Sequence, residues 1–423
     1  MSGITKLVDH MRIPRFVKVK QYFPRNELSE PEIAALIEEN FQRPEIGGQI
    51  RPGGRYCITG GSRGLSNIVL ILREIARQVE IRGGSPFLIP AMGSHGGATA
   101  EGQLGILASY GITEEAIGCP ILSSMETGII GRTEGIPVHL DRHAKAADGI
   151  IVVNRIKAHT GFKGEYESGL MKMMTIGLGK QQGAYIAHSA GDDVLSRRIF
   201  LIGSEMIKQA NIIMGVGLLE NAYDKTYKLA FLPAGQIAAE EPKLLVEAKA
   251  AMGKIFLDSC DVLALRKIGK NYSGGGMDPN VVGRSRLPIG IQSERMAIFE
   301  LSPESHGNAT GMGRADVATK KFLSQISFDD TYPNAVTDHD SSVYKIPMIV
   351  DNEREALKTA MAICLGMDPE NPRIIILKNS LEIEDILISE ALLPEARTKS
   401  ELTILGEPFE LEFDANGDLA TQF

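Results

Sequence analysis

Three times in its first half the chain passes from a short apolar run into a glycine-rich loop. Arg55–Thr59 feeds GGSRGLSN, Pro86–Pro90 feeds AMGSHGGAT, and the β-branched run Gly149–Val153 feeds NRIKAHTGFKGEYESG. Short apolar runs bounded by glycine read as buried strands. Two of the loops open helical patterns. Ile68–Ile81 sets Ile68, Leu72, Ile75, Ala76 and Val79 on one stripe, and a second pattern runs from about Thr99 to Tyr110. Strand, glycine loop and helix in alternation predict a largely parallel sheet covered by helices. Such sheets bind ligands in the loops at their carboxyl edge.

The remaining patterns extend this into two α/β domains with mainly parallel sheets and an active site expected in the cleft between them. With 423 residues, and about 100–200 per domain, two domains are the natural division. The first is expected over 1–252. It starts with a strand at 14–22 and a helix over Pro31–Glu39, where Ser29 and Glu32 have the spacing of a capping box. A helix over Pro242–Met252 closes it. The pattern restarts near Cys260, giving a second domain over 255–400. Strands are expected at Asp261–Leu265, Met296–Leu301 and Arg373–Leu377, a helix starts at Val317–Phe322, and Met348–Asp351 precedes a helix over Glu353–Leu365. The tail, 403–423, alternates over Glu407–Phe413 and is expected to return to the first domain.

Charge and composition narrow the function. The net charge is −8 with no long basic run, which argues against a nucleic-acid partner. No stretch of about 18 apolar residues is present, so no membrane span is expected. The N-terminus has no secretory-type apolar region. Cys57, Cys119, Cys260 and Cys364 are widely separated and read as small buried hydrophobes of a cytoplasmic protein.

The chemistry concentrates in the loops. In GGSRG (Gly60–Gly64), glycines allow a close backbone approach, the following helix start favours an anion, and Arg63 can clamp a carboxylate or phosphate. A tight turn with a solvated arginine fits the same residues. His95 stands among glycines in GSHGGAT, either as a loop tip or as a site residue. The segment 154–189 holds His159, Lys172 and His188, two of the chain's eight histidines with a lysine between them. A deprotonated lysine amine forms covalent adducts, and a neutral imidazole ligates metal or moves protons. His139 and His143 are four apart, but Pro137 and a β-like context argue for a solvated face and not a helical metal pair. The loops 268–284 and 305–316 of the second domain are also glycine-rich. The first has the makings of an anion nest, and His306 in the second is a weaker candidate.

In the order His95, His159, Lys172, His188, with Arg63 ahead of them, these residues resemble the lactate racemase family, enzymes that carry a nickel-pincer nucleotide. The interval from Lys172 to His188 (188 − 172 = 16) matches the family's spacing. The resemblance implies that Lys172 tethers the cofactor through a thioamide and that His188 ligates nickel. It also implies that His95 and His159 flank the substrate carbon as acid/base partners. Arg63 would orient substrate or cofactor, with Ser62 and Gly60 beside it in the cofactor loop. It implies enzymes that make the cofactor as partners, and a small 2-hydroxy acid as substrate. The family commonly has an aspartate three residues before the arginine, where this chain has Gly60. It usually has a lysine in the second-domain loop, where this chain offers Arg284 and Arg286, and Arg286 is taken as the substrate-binding candidate.

The expected activity is therefore that of a divergent isomerase, a racemase or epimerase of a 2-hydroxy acid. It would work by hydride transfer to and from the tethered nucleotide, which avoids a carbanion. One imidazole beside the cofactor's own donors suits square-planar nickel. Two other functions use the same residues: a non-catalytic protein that binds the nickel cofactor or an anionic nucleotide, and a pyridine-nucleotide dehydrogenase. The loop at Gly60–Gly64 lacks the GxGxxG pattern of the latter.

Overall fold

The computed structural model describes residues 3–189, 191–338 and 341–422. The chain forms two units, Pro24–Met252 and Met1–Phe23 together with Gly253–Phe423. Strand β1 (Phe16–Gln21) therefore belongs with the C-terminal half, not with the first domain expected from the sequence.

The unit Pro24–Met252 is built on β2 (Arg55–Gly60), β3 (Ser85–Pro90), β6 (Gly149–Arg155), β7 (Ile212–Glu220) and β8 (Thr226–Pro233); β4 (Thr127–Thr133) and β5 (Ile136–Asp141) form a separate hairpin. The sheet order is β3-β2-β6-β7-β8. All pairs are parallel except the last. Alternation along each strand divides the core. Tyr56, Ile58, Leu88, Ile151 and Val153 pack with helices Glu30–Gln42 and Ile68–Ile81. Cys57, Phe87, Ile89, Ile150 and Val152 pack with Leu195–Gln209, Ile237–Ala251 and the segment from Leu170 to His188. A sheet covered on both faces explains why its strands read as continuous apolar runs. The capping box forms, with the Ser29 N–H donating to the Glu32 carboxylate at 2.8 Å. The helix expected at Pro242 starts a turn earlier, at Ile237, with Pro242 inside it.

The other unit carries β9 (Ser259–Ile268), β10 (Gln292–Leu301), β11 (Val317–Thr319), β12 (Met348–Val350), β13 (Ile374–Leu377), β14 (Asp385–Ser389) and β15 (Leu402–Phe409). With β1 they form one sheet, in the order β12-β11-β10-β9-β13-β14-β1-β15. The first five are parallel; β14, β1 and β15 are antiparallel additions. The tail strand β15 does meet the N-terminal segment, through β1, but inside this sheet and not in the first domain. Val317–Thr319 is a strand; its helix begins only at Lys320, where Thr319 accepts the Phe322 N–H at 3.0 Å. Among the described residues no helix is long and apolar enough to cross a membrane.

Candidate functional site

In the unit Pro24–Met252 the chain lays down β2, moves outward to β3, then returns to place β6 on the other side of β2. Strand order reverses between β2 and β6, and this is where open α/β sheets leave a crevice at their carboxyl ends. Arg63 lies in the loop after β2, His95 after β3 and His159 after β6.

His159 is held from several sides. Its N–H donates to Glu167 Oε2 at 2.6 Å, its carbonyl accepts from Lys163 Nζ at 2.8 Å, and its ring lies 4.3 Å from that of Phe162. Glu167 is fully buried and also receives Lys163 at 3.3 Å and Lys249 at 2.7 Å. The imidazole pKa is pushed well below its ordinary value, first by burial and then by Lys172, His188, Lys163 and Arg63. Basic groups from three chain segments thus act on one ring. Neutral imidazole bonds by tautomer. The Gly161 N–H donates to His159 Nδ1 at 3.0 Å, so the ring proton sits on Nε2. His95 has the opposite arrangement. Its Nδ1 lies 2.7 Å from the Met92 carbonyl, which can only accept, so Nδ1 carries the proton and Nε2 keeps a lone pair. The His95 ring itself is exposed.

Lys172 ends a short α-helical turn and leads into a π-helical stretch, Met173–Leu178, before helix Lys180–His188. π-Helical turns interrupt regular helices frequently at functional sites. Lys172 Nζ lies 5.5 Å from the Phe162 ring centroid, within cation–π range, so Phe162 contacts both His159 and Lys172. The Met171 N–H donates to Glu241 Oε2 at 2.8 Å, which fixes the start of the segment. Burial raises the Glu241 pKa to about 7.

A lysine outside the candidate set ties the loops together. Lys180 is fully buried with φ +54°, and its amine donates to the Pro90 carbonyl, to Gln103 Oε1 at 3.1 Å, and pairs with buried Asp141 at 3.3 Å. Gln103 in turn donates to the carbonyls of Gly93 (2.9 Å) and His95 (3.3 Å). The helix that ends in His188 and the loop that carries His95 therefore share a buried anchor. Gly177 allows the two to approach: a Cβ there would lie 2.7 Å from the Ala91 carbonyl oxygen.

At the first loop, a Cβ at Gly60 would meet Leu88 and Leu107 at 3.0 and 3.1 Å, and its carbonyl accepts the Ala91 N–H. An aspartate here would bury its carboxylate in an apolar layer, so Gly60 offers backbone only. The Ser62 carbonyl accepts Tyr110 OH at 3.4 Å. The amide just before helix Ile68–Ile81 is already taken, since the Ser66 N–H donates to Glu220 Oε1 at 3.0 Å while Glu220 Oε2 holds Arg155 at 2.6 Å. Arg63 forms no hydrogen bond or ion pair with any described residue. The surrounding protein nevertheless lowers its pKa, mainly by desolvation; Tyr110 opposes the shift and Arg155 adds to it.

Other candidates lie on other elements. Arg286 is exposed in the other unit. Its neighbour Arg284 is engaged with Asp316 at 2.8 Å and with the carbonyls of Arg314 and Glu294. His139 lies on β5 with Nδ1 2.9 Å from Thr127 Oγ1, and His143 lies in the short helix beyond, so they form no helical pair. The thiols of Cys57, Cys119 and Cys260 are buried.

No protein-family model matches this chain, and no curated protein matches it. Among solved structures it is similar to the lactate racemase apoprotein from Thermoanaerobacterium thermosaccharolyticum, with 12% identity and a TM-score of 0.54 over 86% of this chain and 99% of that one. At that identity the likeness is one of fold.

Proposed function

We propose that the chain is a racemase or epimerase of a 2-hydroxy acid that works with a nickel-pincer nucleotide tethered at Lys172. The observation that carries this is Phe162 in contact with both His159 and Lys172, with Lys163 on the His159 carbonyl and the charges of Arg63 and His188 also acting on that imidazole, at the reversal point of a mainly parallel sheet. The fold likeness to a lactate racemase apoprotein supports it. The side chains suit the group. Lys172 offers an amine for the tether and His188 one imidazole for nickel. Among the described residues no cluster of three His, Cys, Asp or Glu side chains would hold a metal alone. A metal here has to bring its other ligands with it, as a pincer nucleotide does. When bound, that group supplies a hydride acceptor for the α C–H bond.

The protein's own part is proton handling and orientation. His95, with its lone pair on Nε2, takes the hydroxyl proton. His159, kept neutral by burial and the neighbouring cations and carrying its proton on Nε2, donates a hydrogen bond to the substrate oxygen from the other side, and the His95 imidazolium gives its proton back to that oxygen as the hydroxy acid re-forms. Arg63 takes the α-carboxylate.

The test is the intact mass of protein co-produced with the cofactor-making enzymes. Wild type should carry a covalent nucleotide-sized adduct and Lys172→Ala none, and His188→Ala should lower nickel content by elemental analysis. An adduct that survives Lys172→Ala removes the assignment. An adduct without racemisation of any 2-hydroxy acid in a panel makes the chain a binding protein.

A further inference from the structure

We propose that Tyr166, Glu241 and Lys249 are positioning residues, through which one helix, Ile237–Ala251, sets the spacing between the His159 loop and the Lys172 turn. This rests on the function proposed above and adds the element that holds its two key segments in place. The loop that carries His159 is closed on itself. The Lys157 N–H donates to the Ser168 carbonyl at 2.9 Å, and the Ser168 N–H donates to the Lys157 carbonyl at 3.2 Å. A compact loop with joined ends packs as one piece, so whatever holds its stem places His159.

Two contacts at that stem come from the helix. Pro242, inside it, has no N–H to return to the Ala238 carbonyl four residues earlier. That carbonyl accepts the hydroxyl of buried Tyr166 at 2.7 Å, and Phe200 stacks on the Tyr166 ring at 5.3 Å. Further along, Lys249 Nζ donates to Glu167 Oε1 at 2.7 Å. Glu167 Oε2 receives the His159 N–H, so one carboxylate separates the lysine from the histidine backbone. The third contact goes to the Lys172 turn, where Glu241 accepts the Met171 N–H. Gly169 makes room for it: a Cβ there would lie 2.3 Å from Glu241 Oε1. The Asn154 side-chain amide holds the Gly169 carbonyl at 2.8 Å. Glu241 and Lys249 are eight residues apart (249 − 241 = 8), about 12 Å along the helix axis. A helix keeps that length, so the separation of the two anchor points is set by the helix and not by the loops. Contacts that served stability alone could end anywhere in the core. These end on the backbone of Met171, next to Lys172, and on the carboxylate that holds the His159 N–H.

The test is amide hydrogen–deuterium exchange of the full chain, read by mass spectrometry over 157–168 and 170–178, with kcat and KM of the cofactor-loaded protein beside it. Lys249→Met should speed exchange over 157–168 roughly 3- to 10-fold, the loss of one charge-assisted hydrogen bond whose donor is partly exposed, and leave 170–178 as it was. Glu241→Ala should do the reverse. Glu241→Gln is the second variant should that one not fold, and should speed 170–178 by less. Lys249→Arg should restore the wild-type pattern. Lys243→Met, on the solvent side of the same helix, should change neither segment. In the loaded protein Lys249→Met should lower kcat roughly 3- to 10-fold at unchanged KM, because it shifts a proton-handling group and not the carboxylate clamp; Lys249→Arg should recover it. Exchange unmoved by Lys249→Met overturns the proposal, as does equal acceleration of both segments or a kcat that Lys249→Arg leaves low. Exchange needs no cofactor and the Lys172 adduct is read separately by mass. A wild type without adduct or turnover removes the proposed function, while segment-selective exchange in the same protein upholds the helix as the holder of both segments.

Discussion

The two units present similar edges with different contents. Both have parallel strands that end in glycine-rich loops. In the unit Gly253–Phe423 the polar side chains of those loops satisfy one another: Lys270 Nζ reaches Asn334 Oδ1 at 2.8 Å, Asn308 Nδ2 reaches the same oxygen at 2.8 Å, and Thr310 Oγ1 reaches Asn308 Oδ1 at 2.6 Å. In the unit Pro24–Met252 the bonding runs downward. Buried Glu167, Glu241 and the Asp141–Lys180 pair each hold one loop or helix start, and the charges of Arg63 and Lys172 act on the His159 ring. Glycine-rich loops alone therefore do not distinguish a site from a connection.

The sharpest break of that comparison is catalytic. His95→Ala or His159→Ala should each lose roughly 10²–10⁴-fold in racemisation, from either enantiomer, because each direction uses both imidazoles. His306→Ala, in the loop after β10, should leave the rate where it was. Chiral chromatography from each pure enantiomer measures both, and a His306 effect of equal size would erase the contrast between the edges.

The next contrast is in stability. Lys180→Met strands Asp141 without its cation and should cost about 3–5 kcal/mol, the usual cost of breaking a buried pair from one side. Lys270→Met removes its half-buried hydrogen bond to Asn334 and should cost about 1 kcal/mol for that bond. Urea unfolding followed by circular dichroism gives both; similar losses would show that the second edge is also built on buried charge.

A smaller effect lies in pH. Burial lifts both Glu241 and Glu353 from 4.5 to about 7. A carboxyl with a raised native pKa holds its proton while the unfolded chain has released it. Each therefore adds stability that is complete below pH 4.5 and is lost as the pH climbs to about 7. For Glu241 the swing is at most about 3 kcal/mol. Glu241→Gln should flatten the slope of unfolding free energy between those limits and soften the fixing of the Lys172 turn. Glu353→Gln should flatten the slope without touching nickel content. An unchanged slope in Glu241→Gln would mean that Glu241 stays ionised in the native protein.

What could be read from the sequence was local. The runs at Arg55, Pro86 and Gly149 announce themselves because buried parallel strands are apolar on both faces, and the loops after them contain Arg63, His95 and His159. The pairing of β1 with β14 and β15 has no local signature, since it joins segments more than 360 residues apart. The three residues of β11 run directly into a helix, so their pattern merges with it. Lys180 sits in GLGKQQG, where a lysine after glycine suggests solvent. Only the tertiary position of the Pro90 carbonyl and Asp141 makes it an anchor. Glu167 and Glu241 were equally hidden, because a buried carboxylate and an exposed one look alike in one sequence. Arg155 had a visible signal, a cation closing an apolar strand, but its partner Glu220 lies on a different strand.

The placement of β1 bears on synthesis. Residues 16–21 leave the ribosome well before the rest of their sheet, since their hydrogen-bonding partners are β14 and β15, the latter ending at Phe409. At 5–20 residues per second, the strand waits roughly 20–80 s for both neighbours. Throughout that interval the unit Pro24–Met252 can fold behind it, since none of that unit's sheet draws on β1. The nascent chain thus carries a strand with both edges open, and the alternating Lys18 and Lys20 give it charges that discourage pairing with a neighbouring copy. The Phe256 N–H, donated to Gln21 Oε1 at 3.0 Å, joins the start of the late half to the early strand.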